Sequence, residues 1–314
     1  MKVLVTGGAG FIGSHLIGHL LELGHTVTAL DNFLSGNPEN LERFGKKIRF
    51  VRGDLTRPGV LRAALEGADA VVHEAAIASL DVCLRCPSLT KHVNVRGTEM
   101  VLEESLRAGV RRVVFASSSA VYGRQEHLPI PEDAELRPLS LYAETKLEGE
   151  RLCREYFKKG LETVCLRYFN VYGPGQNPEY AGVILKFLAC LREGKRPTIY
   201  GDGSQTRDFV HVLDVARATA LALERDCAGE VINIGSGTSV SVSELLRILC
   251  SLMNRRVRPL HLPPRPGEVP HSQADVRKAE KLLGFKATIS LEDGLGRLLS
   301  GSRRFLQTKL ARFL

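Results

Sequence analysis

Lys2-Val3-Leu4-Val5-Thr6 runs straight into Gly7-Gly8-Ala9-Gly10-Phe11-Ile12-Gly13, and the rest of the chain is read outward from this stretch. The first five residues are a short apolar run. From Phe11 onward, Phe11, Ile12, Leu16, Ile17, Leu20 and Leu21 recur at helical spacing. Strand, glycine turn and helix in that order build a phosphate-binding turn. Gly7 permits the tight turn, Gly10 lets backbone approach a pyrophosphate that a Cβ would block, and Gly13 lets the helix pack closely. The free N–H groups at the helix start then meet the phosphate charge. The spacing is Gly-x-x-Gly-x-x-Gly rather than the commoner Gly-x-Gly-x-x-Gly, so the context carries the reading.

That context continues downstream. A second strand, Thr26–Leu30, ends in Asp31, at the distance where a ribose-binding acid belongs. An aspartate there accepts from both ribose hydroxyls and repels a 2′-phosphate, which favours NAD over NADP. After the loop from Asn32 to Asn40, strand Ile48–Val51 ends in Gly53-Asp54-Leu55, which puts an acid beside an adenine pocket. A helix from Pro58 to Glu66 leads to strand Ala70–His73, followed by the small residues Ala75-Ala76. A long helix from Ser88 to Ala108, containing Asn94, leads to strand Arg112–Ala116 and then Ser117-Ser118-Ser119. This alternation predicts an α/β fold with a doubly wound parallel sheet of the Rossmann type. Ligands bind such sheets at the carboxyl ends of the strands, where Asp31, Asp54, Ala75, Ala76 and the serines all fall.

Composition narrows the function classes. A chain of 314 residues with 25% charged residues is an ordinary globular protein of one or two domains. No apolar run approaches a membrane span, and Met1-Lys2 leads into the first strand without a signal-peptide pattern, so a cytoplasmic protein is expected. Seven cysteines, with Cys165, Cys190 and Cys250 inside apolar runs, read as reduced thiols. Cys83-Leu84-Arg85-Cys86 has no second pair to complete a zinc site, so no metal is expected. The net charge of +8 suits an anionic small molecule. Lys and Arg are spread along the chain, which argues against nucleic acid. The exception is the tail from Arg303 to Leu314, a basic amphipathic segment expected to dock its apolar side on its own domain.

The second half changes character. A Pro- and Glu-rich loop from Arg124 to Pro138 precedes a helix from Leu141 to Lys159 and a strand from Thr163 to Arg167. Beyond Tyr168-Phe169-Asn170, Gly and Pro become frequent, marking a smaller region. Residues 208–236 again read as helix plus strand and are expected to return to the sheet. The predicted division is residues 1–169, with 208–236, as the dinucleotide-binding domain, and 170–207 with 237–314 as a smaller α/β substrate domain.

Chemistry is concentrated in Tyr142-Ala143-Glu144-Thr145-Lys146, which puts Tyr142 and Lys146 one helical turn apart on one face. An ammonium about 4 Å from the phenol favours phenolate by about 4 kcal/mol at an effective dielectric of 20. That brings a tyrosine from near 10 toward about 7. Ser118, at a strand end, can donate to the same substrate oxygen.

Thr6–Gly13, Ser117-Ser118-Ser119-Ala120-Val121-Tyr122-Gly123, Tyr142-x-x-x-Lys146 and Leu166-Arg167-Tyr168-Phe169-Asn170 together resemble the extended short-chain dehydrogenase/reductases. Among these the chain is most similar to nucleotide-sugar epimerases of the UDP-glucose 4-epimerase type, over residues 1 to about 295. The resemblance implies that Tyr142, as phenolate, takes the proton of the sugar 4-hydroxyl while NAD takes the 4-hydride. The keto sugar then turns over and hydride returns to its other face. It implies Ser118, Tyr142 and Lys146 as the catalytic set. It implies Gly7, Gly10, Phe11, Ile12, Asp31, Asn32, Ser35, Gly36, Asp54, Leu55, Ala75, Ala76, Asn94, Tyr142, Lys146 and Tyr168 as cofactor contacts. For a UDP-sugar it implies Ser79, Ser118, Asn170, Val183, Thr198, Tyr200, Arg207, Arg265, Glu268 and Ser272. Arg207 and Arg265 match the family's diphosphate arginines, whose fork donates two bonds at once. Ser272 matches the position facing the sugar C2 substituent, where a small side chain admits an acetamido group. A homodimer pairing the helices at Ser88–Ala108 and Leu141–Lys159 is also implied.

Two other outcomes stay open. Related dehydratases place an Asp-Glu pair just after the hydroxyl residue, and related decarboxylases a Glu in the same stretch. Here those positions are Ser119 and Ala120, which cannot exchange protons with C5 or C6. A non-catalytic NAD-binding sensor typically lacks the Tyr of Tyr-x-x-x-Lys, whereas Tyr142 and Ser118 are both present.

Overall fold

The computed structural model describes residues 1–176, 182–265, 267 and 269–310, the stretch 301–310 as backbone alone. In the first half the elements are β1 (Lys2–Thr6), α1 (Phe11–Glu22), β2 (Thr26–Asp31), α2 (Glu39–Glu42), β3 (Ile48–Arg52), α3 (Pro58–Leu65), β4 (Ala70–His73), α4 (Leu80–Arg85), α5 (Pro87–Lys91), α6 (Gly97–Arg107), β5 (Arg112–Ser118), α7 (Leu141–Lys158) and β6 (Glu162–Tyr168). They are followed by β7 (Asn170–Tyr172), α8 (Val183–Arg192), β8 (Thr198–Tyr200), β9 (Thr206–His211), α9 (Val212–Glu224), β10 (Val231–Ile234), β11 (Ser239–Ser241), α10 (Val242–Leu252), β12 (Leu260–Leu262), α11 (Arg277–Leu283) and α12 (Leu291–Leu310).

Seven strands form one parallel sheet in the order β10-β6-β5-β4-β1-β2-β3. Its strands are apolar on both faces, as a sheet covered on both sides requires. Val3 and Val5 of β1 pack with Leu16, Ile17 and Leu20 of α1 and with α9 on one face. Leu4, between them, packs with α3, α6 and α7 on the other. The expected doubly wound Rossmann sheet is therefore present. The winding goes out from β1 to β2 and β3, then back to β4, β5 and β6, so the switch point lies between β1 and β4.

The second half supplies a three-stranded sheet, β11-β9-β7, and a two-stranded one, β12-β8. They enclose a third core with α8, α10 and α12, built on Phe187, Leu188, Phe209, Leu245, Leu249, Leu295 and Leu298. Strand β10 leaves this region and pairs with β6 in the large sheet. No helix among the described residues is long and apolar enough to cross a membrane. Side chains from residue 301 onward, and with them the docking expected of the basic tail, lie outside the described residues.

Two local features depart from the sequence reading. The single helix expected from Ser88 to Ala108 is instead α5, a π-helical turn at His92–Arg96, and α6. Such turns interrupt a helix where a side chain has work to do. Here Asn94, 3% exposed, sits in the turn and bonds Ile77 through Nδ2 to O (3.0 Å) and N to Oδ1 (2.8 Å). The short helix α4, capped by Ser79 Oγ accepting from Val82 N at 3.3 Å, was not anticipated. Six residues are too few to show a period.

Candidate active site

The glycine turn closes by contact, atom against atom. Gly7 has φ +69°, and a Cβ on it would lie 2.8 Å from the N of Ala75. A Cβ on Gly10 would lie 3.0 Å from Gly7 O, and one on Gly13 only 2.3 Å from the same oxygen. Gly13 thus lets the helix start sit on the turn itself, a closer contact than the helix-to-strand packing expected of it. Helix α1 has no side-chain cap and no acid in its first turn, so Phe11 and Ile12 open a helix whose first N–H groups suit an anion.

Gly7, Asp31, Asn32, Ser35, Asp54, Leu55, Ala75 and Ala76 line one crevice at the carboxyl ends of β1 to β4. Asp31 Oδ2 accepts from Ala9 N at 3.0 Å and Oδ1 from Phe33 N at 2.7 Å. A Cβ on Gly36 would lie 2.9 Å from Asp31 Oδ1. The aspartate therefore holds both flanking loops, and its carboxyl is raised by burial against the pull of those N–H groups. Asp54 accepts from Thr56 N at 2.9 Å and Thr56 Oγ1 at 2.7 Å. Burial raises its carboxyl, but the Thr56 bonds, Asn32 and His92 outweigh that and hold it low. Asn94 does not join this crevice. Its remaining bond runs to Thr145 Oγ1 at 3.0 Å, so it ties α7 to the turn ahead of α6 instead.

The Tyr-Lys pair lies on α7, whose N-cap Ser140 accepts from Ala143 N at 3.2 Å. Lys146 is 4% exposed and donates to Ala116 O at 2.7 Å. Its Nζ stands 5.9 Å from the centre of the Tyr142 ring. The ammonium is anchored to β5 with the Tyr142 ring beside it, and burial is the largest influence on the phenol. Burial pushes Tyr142 up to about 12, with Ser118's hydrogen bond opposing and Glu74 adding to the rise. Lys146 is pushed down to about 8 by burial, with Glu74 pulling it back up. Ser118 Oγ also accepts from Ala120 N at 3.2 Å, which fixes the turn that follows β5.

A second cavity, about 720 Å³, is lined by Ser79, Asn170, Val183, Thr198, Tyr200, Arg207 and Arg265, seven of the ten positions expected for substrate. Arg265 lies over Tyr200, its Cζ 3.8 Å from the ring centre. Arg207 Nη1 donates to Thr206 O at 2.8 Å. Asn170 Nδ2 donates to Asp208 O at 3.2 Å. Ser118 and Ser272 do not line this cavity. Ser118 belongs to the Tyr142 cluster, and Ser272 is 8% exposed in the segment that meets Ile130. Glu268 lies outside the described residues.

Sequence reasoning passed over several groups here. Lys186 and Gln205 also line the cavity, and Gln205 Nε2 donates to Tyr200 O at 2.8 Å. Glu74 lies between His73 and Ala75, and its Oε1 stands 2.8 Å from the Tyr168 hydroxyl. A charged residue at the end of a buried parallel strand was the available signal for it. Among the described residues, no group of His, Cys, Asp and Glu is arranged to hold a metal ion.

Residues 3–235 match the model of the NAD dependent epimerase/dehydratase family. The chain is 36% identical to the UDP-glucose 4-epimerase of Thermotoga maritima, whose structure with UDP-glucose superposes with a TM-score of 0.92 and coverage of 98% of this chain and 100% of that one. It is 35% identical to the UDP-glucuronic acid 4-epimerase of Bacillus cereus, solved with UDP-glucuronic acid and NAD, with a TM-score of 0.90 and coverage of 97% and 100%. It is also 37% identical to the dTDP-glucose 4,6-dehydratase of Streptomyces griseus, over 93% of this chain and 91% of that one. With its sheet, glycine turn, Tyr-Lys pair and full-length similarity to these enzymes, the chain belongs to the NAD-dependent epimerase/dehydratase family.

Proposed function

We propose that this chain is a UDP-hexose 4-epimerase that works by transient oxidation at C4. The observation that carries this reading over dehydratase or decarboxylase is the turn Ser119–Tyr122 after Ser118, which supplies no carboxyl beside Tyr142. Dehydration across C5 and C6 needs an acid and a base there. The carboxyl of Glu74 is engaged by the Tyr168 hydroxyl.

The fit to NAD rests on the cradle at Gly7 and Gly10 and on the uncapped start of α1. Gly7, Gly10, Phe11 and Ile12 hold the diphosphate, Asp31 the adenosine ribose, and Asn32, Ser35, Gly36, Asp54 and Leu55 the adenine side. Ala75 and Ala76 leave room past the strand ends, and Lys146, Tyr142 and Tyr168 form the nicotinamide end. Bound NAD supplies the hydride acceptor and donor for C4. Tyr142 takes the proton of the 4-hydroxyl as the C4 hydride leaves, and gives it back on return. At Tyr142, the positive charge of an oxidised cofactor would offset the burial that holds the phenol's proton on. Ser118 donates to the same oxygen.

The UDP-sugar is assigned to the 720 Å³ cavity, with Arg207 and Arg265 on the diphosphate and Thr198 and Tyr200 on the uracil side. Residues 1–169 with 208–236 serve the cofactor, and 170–207 with 237–314 the nucleotide sugar. Ser272 is assigned to the sugar C2 side; its small side chain leaves space for an acetamido group, so UDP-N-acetylhexosamines are accepted beside UDP-glucose and UDP-galactose. A pocket left partly empty rejects the smaller sugar by only ~1–3 kcal/mol. A groove of about 670 Å³ on the outer side of α6 and α7, lined by Val95, Leu141 and Leu147 with Arg96, Glu99, Glu148 and Arg151 around them, supports a homodimer on these helices. Mixed charges around an apolar strip suit a self-complementary two-fold contact.

The test is incubation with UDP-glucose, UDP-galactose and their N-acetylamino forms, followed by chromatography. Interconversion at C4 supports the reading, and a 4-keto-6-deoxy product or loss of carbon dioxide from a uronic acid overturns it. If wild type ignores UDP-N-acetylglucosamine, or Ser272→Tyr leaves N-acetyl activity intact, the C2 assignment fails while the epimerase reading stands.

A further inference from the structure

Four oxygens, from the end of β4, from β6 and from α9, stand in a row beside the Tyr-Lys pair. Glu74 Oε1 is 2.8 Å from Tyr168 Oη. Tyr168 Oη is 2.8 Å from Thr219 Oγ1. Thr219 Oγ1 is 2.8 Å from the carbonyl of Val215. These distances make three O–H···O contacts at ordinary hydrogen-bond length. Each contact needs one proton, and the carbonyl end supplies none.

Counting protons decides the state of the carboxyl. Tyr168 and Thr219 bring one each. If Glu74 is a carboxylate, two protons serve three gaps, and one pair of buried oxygens meets bare. Tyr168 is 5% exposed and Thr219 0%, so water has little access to repair that gap. If Glu74 is a carboxylic acid, it donates to Tyr168, Tyr168 donates to Thr219, Thr219 donates to Val215, and every gap is filled.

We propose that Glu74 is a neutral carboxylic acid in the resting site, a positioning residue that fixes the Tyr168 hydroxyl and keeps negative charge away from Tyr142. The effect on Tyr142 rests on the epimerase reading above; the proton on Glu74 does not. The groups that face it pull in both directions. From α7, Lys146 lowers the Glu74 carboxyl and Tyr142 is raised by it; from β6, Tyr168 shares its proton; on its own strand, His73 is engaged by Thr6 and Thr98. Desolvation lifts the carboxyl of Glu74, a partly exposed residue, to about 7 against the Tyr168 bond and Lys146. Ionisation above that point leaves the row one proton short and adds a charge that opposes phenolate at Tyr142.

Glu74→Gln separates this from an ordinary buried ion pair, because the amide N–H donates to Tyr168 as the acid does. Infrared difference spectra of wild type minus Glu74→Gln at pH 6 read the proton directly. A protonated-carboxyl carbonyl band that wild type has and the variant lacks is expected, fading as pH rises through 7. A carboxylate band in its place at pH 6 overturns the assignment whatever the enzyme's activity. For the effect on Tyr142, Glu74→Ala is expected to lose roughly tenfold in kcat, a buried hydroxyl's hydrogen bond. Glu74→Gln is expected to restore most of it and to erase the wild-type inflection near pH 7. An inflection unchanged in Glu74→Gln overturns the positioning role. Wild type without epimerase activity overturns the function reading, and the infrared result then judges Glu74 by itself.

Discussion

Glu150 and Arg167 meet inside the protein as a two-armed ion pair, with Arg167 Nε 2.9 Å from Oε1 and Nη2 2.8 Å from Oε2. Their side chains are 2% and 3% exposed. Ser117 Oγ donates to the same carboxylate at 2.5 Å, and Arg167 Nη1 reaches the Tyr122 hydroxyl at 2.8 Å. Glu150 lies one helical turn beyond Lys146, so this pair sets the depth at which α7 presents Tyr142 and Lys146 to β5.

Removing one arm leaves an uncompensated buried charge, so Glu150→Ala is expected to lose about 3–5 kcal/mol of stability. Replacing both partners, Glu150→Leu with Arg167→Met, is expected to recover most of that. Urea unfolding of the two variants checks it. A double variant as unstable as the single would show that Tyr122 and Ser117, not the charge, dominate the loss.

Tyr142→Phe is expected to cut kcat by roughly 10²–10⁴-fold, the usual contribution of a positioned acid–base group. Cofactor affinity should change little, since the ring and Lys146 remain. Turnover assays paired with fluorescence titration of NAD separate the two effects. Substantial activity in the variant would remove Tyr142 from the mechanism.

His73 is 1% exposed and is pushed down to about 3 by burial, with Lys146 adding to the fall. An imidazole depressed in the folded state stabilises above its unfolded value near 6.5, and that stability is lost as pH falls toward 3. Across the window the unfolded chain holds one more proton, a slope of ~1.4 kcal/mol per pH unit. His73→Gln is expected to start less stable, because the bonds to Thr6 and Thr98 change, yet to show a slope shallower by that amount. Chemical denaturation at a series of pH values from 7 to 4 measures it.

Arg265 lies over Tyr200 at the mouth of the larger cavity. If its fork holds the diphosphate, Arg265→Ala is expected to weaken UDP binding roughly 10- to 150-fold, the worth of a charged hydrogen bond. Arg265→Lys should rescue little, because an ammonium has no planar fork. Calorimetric titration with UDP reads both variants without turnover.

What the sequence showed and what it hid differ in range. β1, β4 and the Gly7–Gly13 turn were legible because apolar runs and glycines act on their nearest neighbours. Tyr142 and Lys146 were legible because one helical turn separates them. The positions around the larger cavity came from motif resemblance, and most of them do meet there. The partners of Asn94 and the part played by Glu74 were hidden because Thr145 and Tyr168 lie 51 and 94 residues away. The burial of Tyr142 was hidden for a related reason. Spacing places an ammonium near a phenol, but only the packed fold shows that Ala116 O accepts a hydrogen bond from it and that burial opposes ionisation.

The pairing of β10 with β6 also orders events in time. One edge of the large sheet is finished by Val231–Ile234, a segment made after β7, α8, β8 and β9. While the chain grows from the ribosome, the cofactor half emerges with β6 as a bare edge, buried strands of this kind being prone to stray pairing. It cannot close until the inserted stretch 170–207 has been made, while residues 237–314 are still to come. The large sheet is therefore finished across an insertion, and a chain cut before residue 231 should aggregate rather than yield a stable dinucleotide-binding fragment.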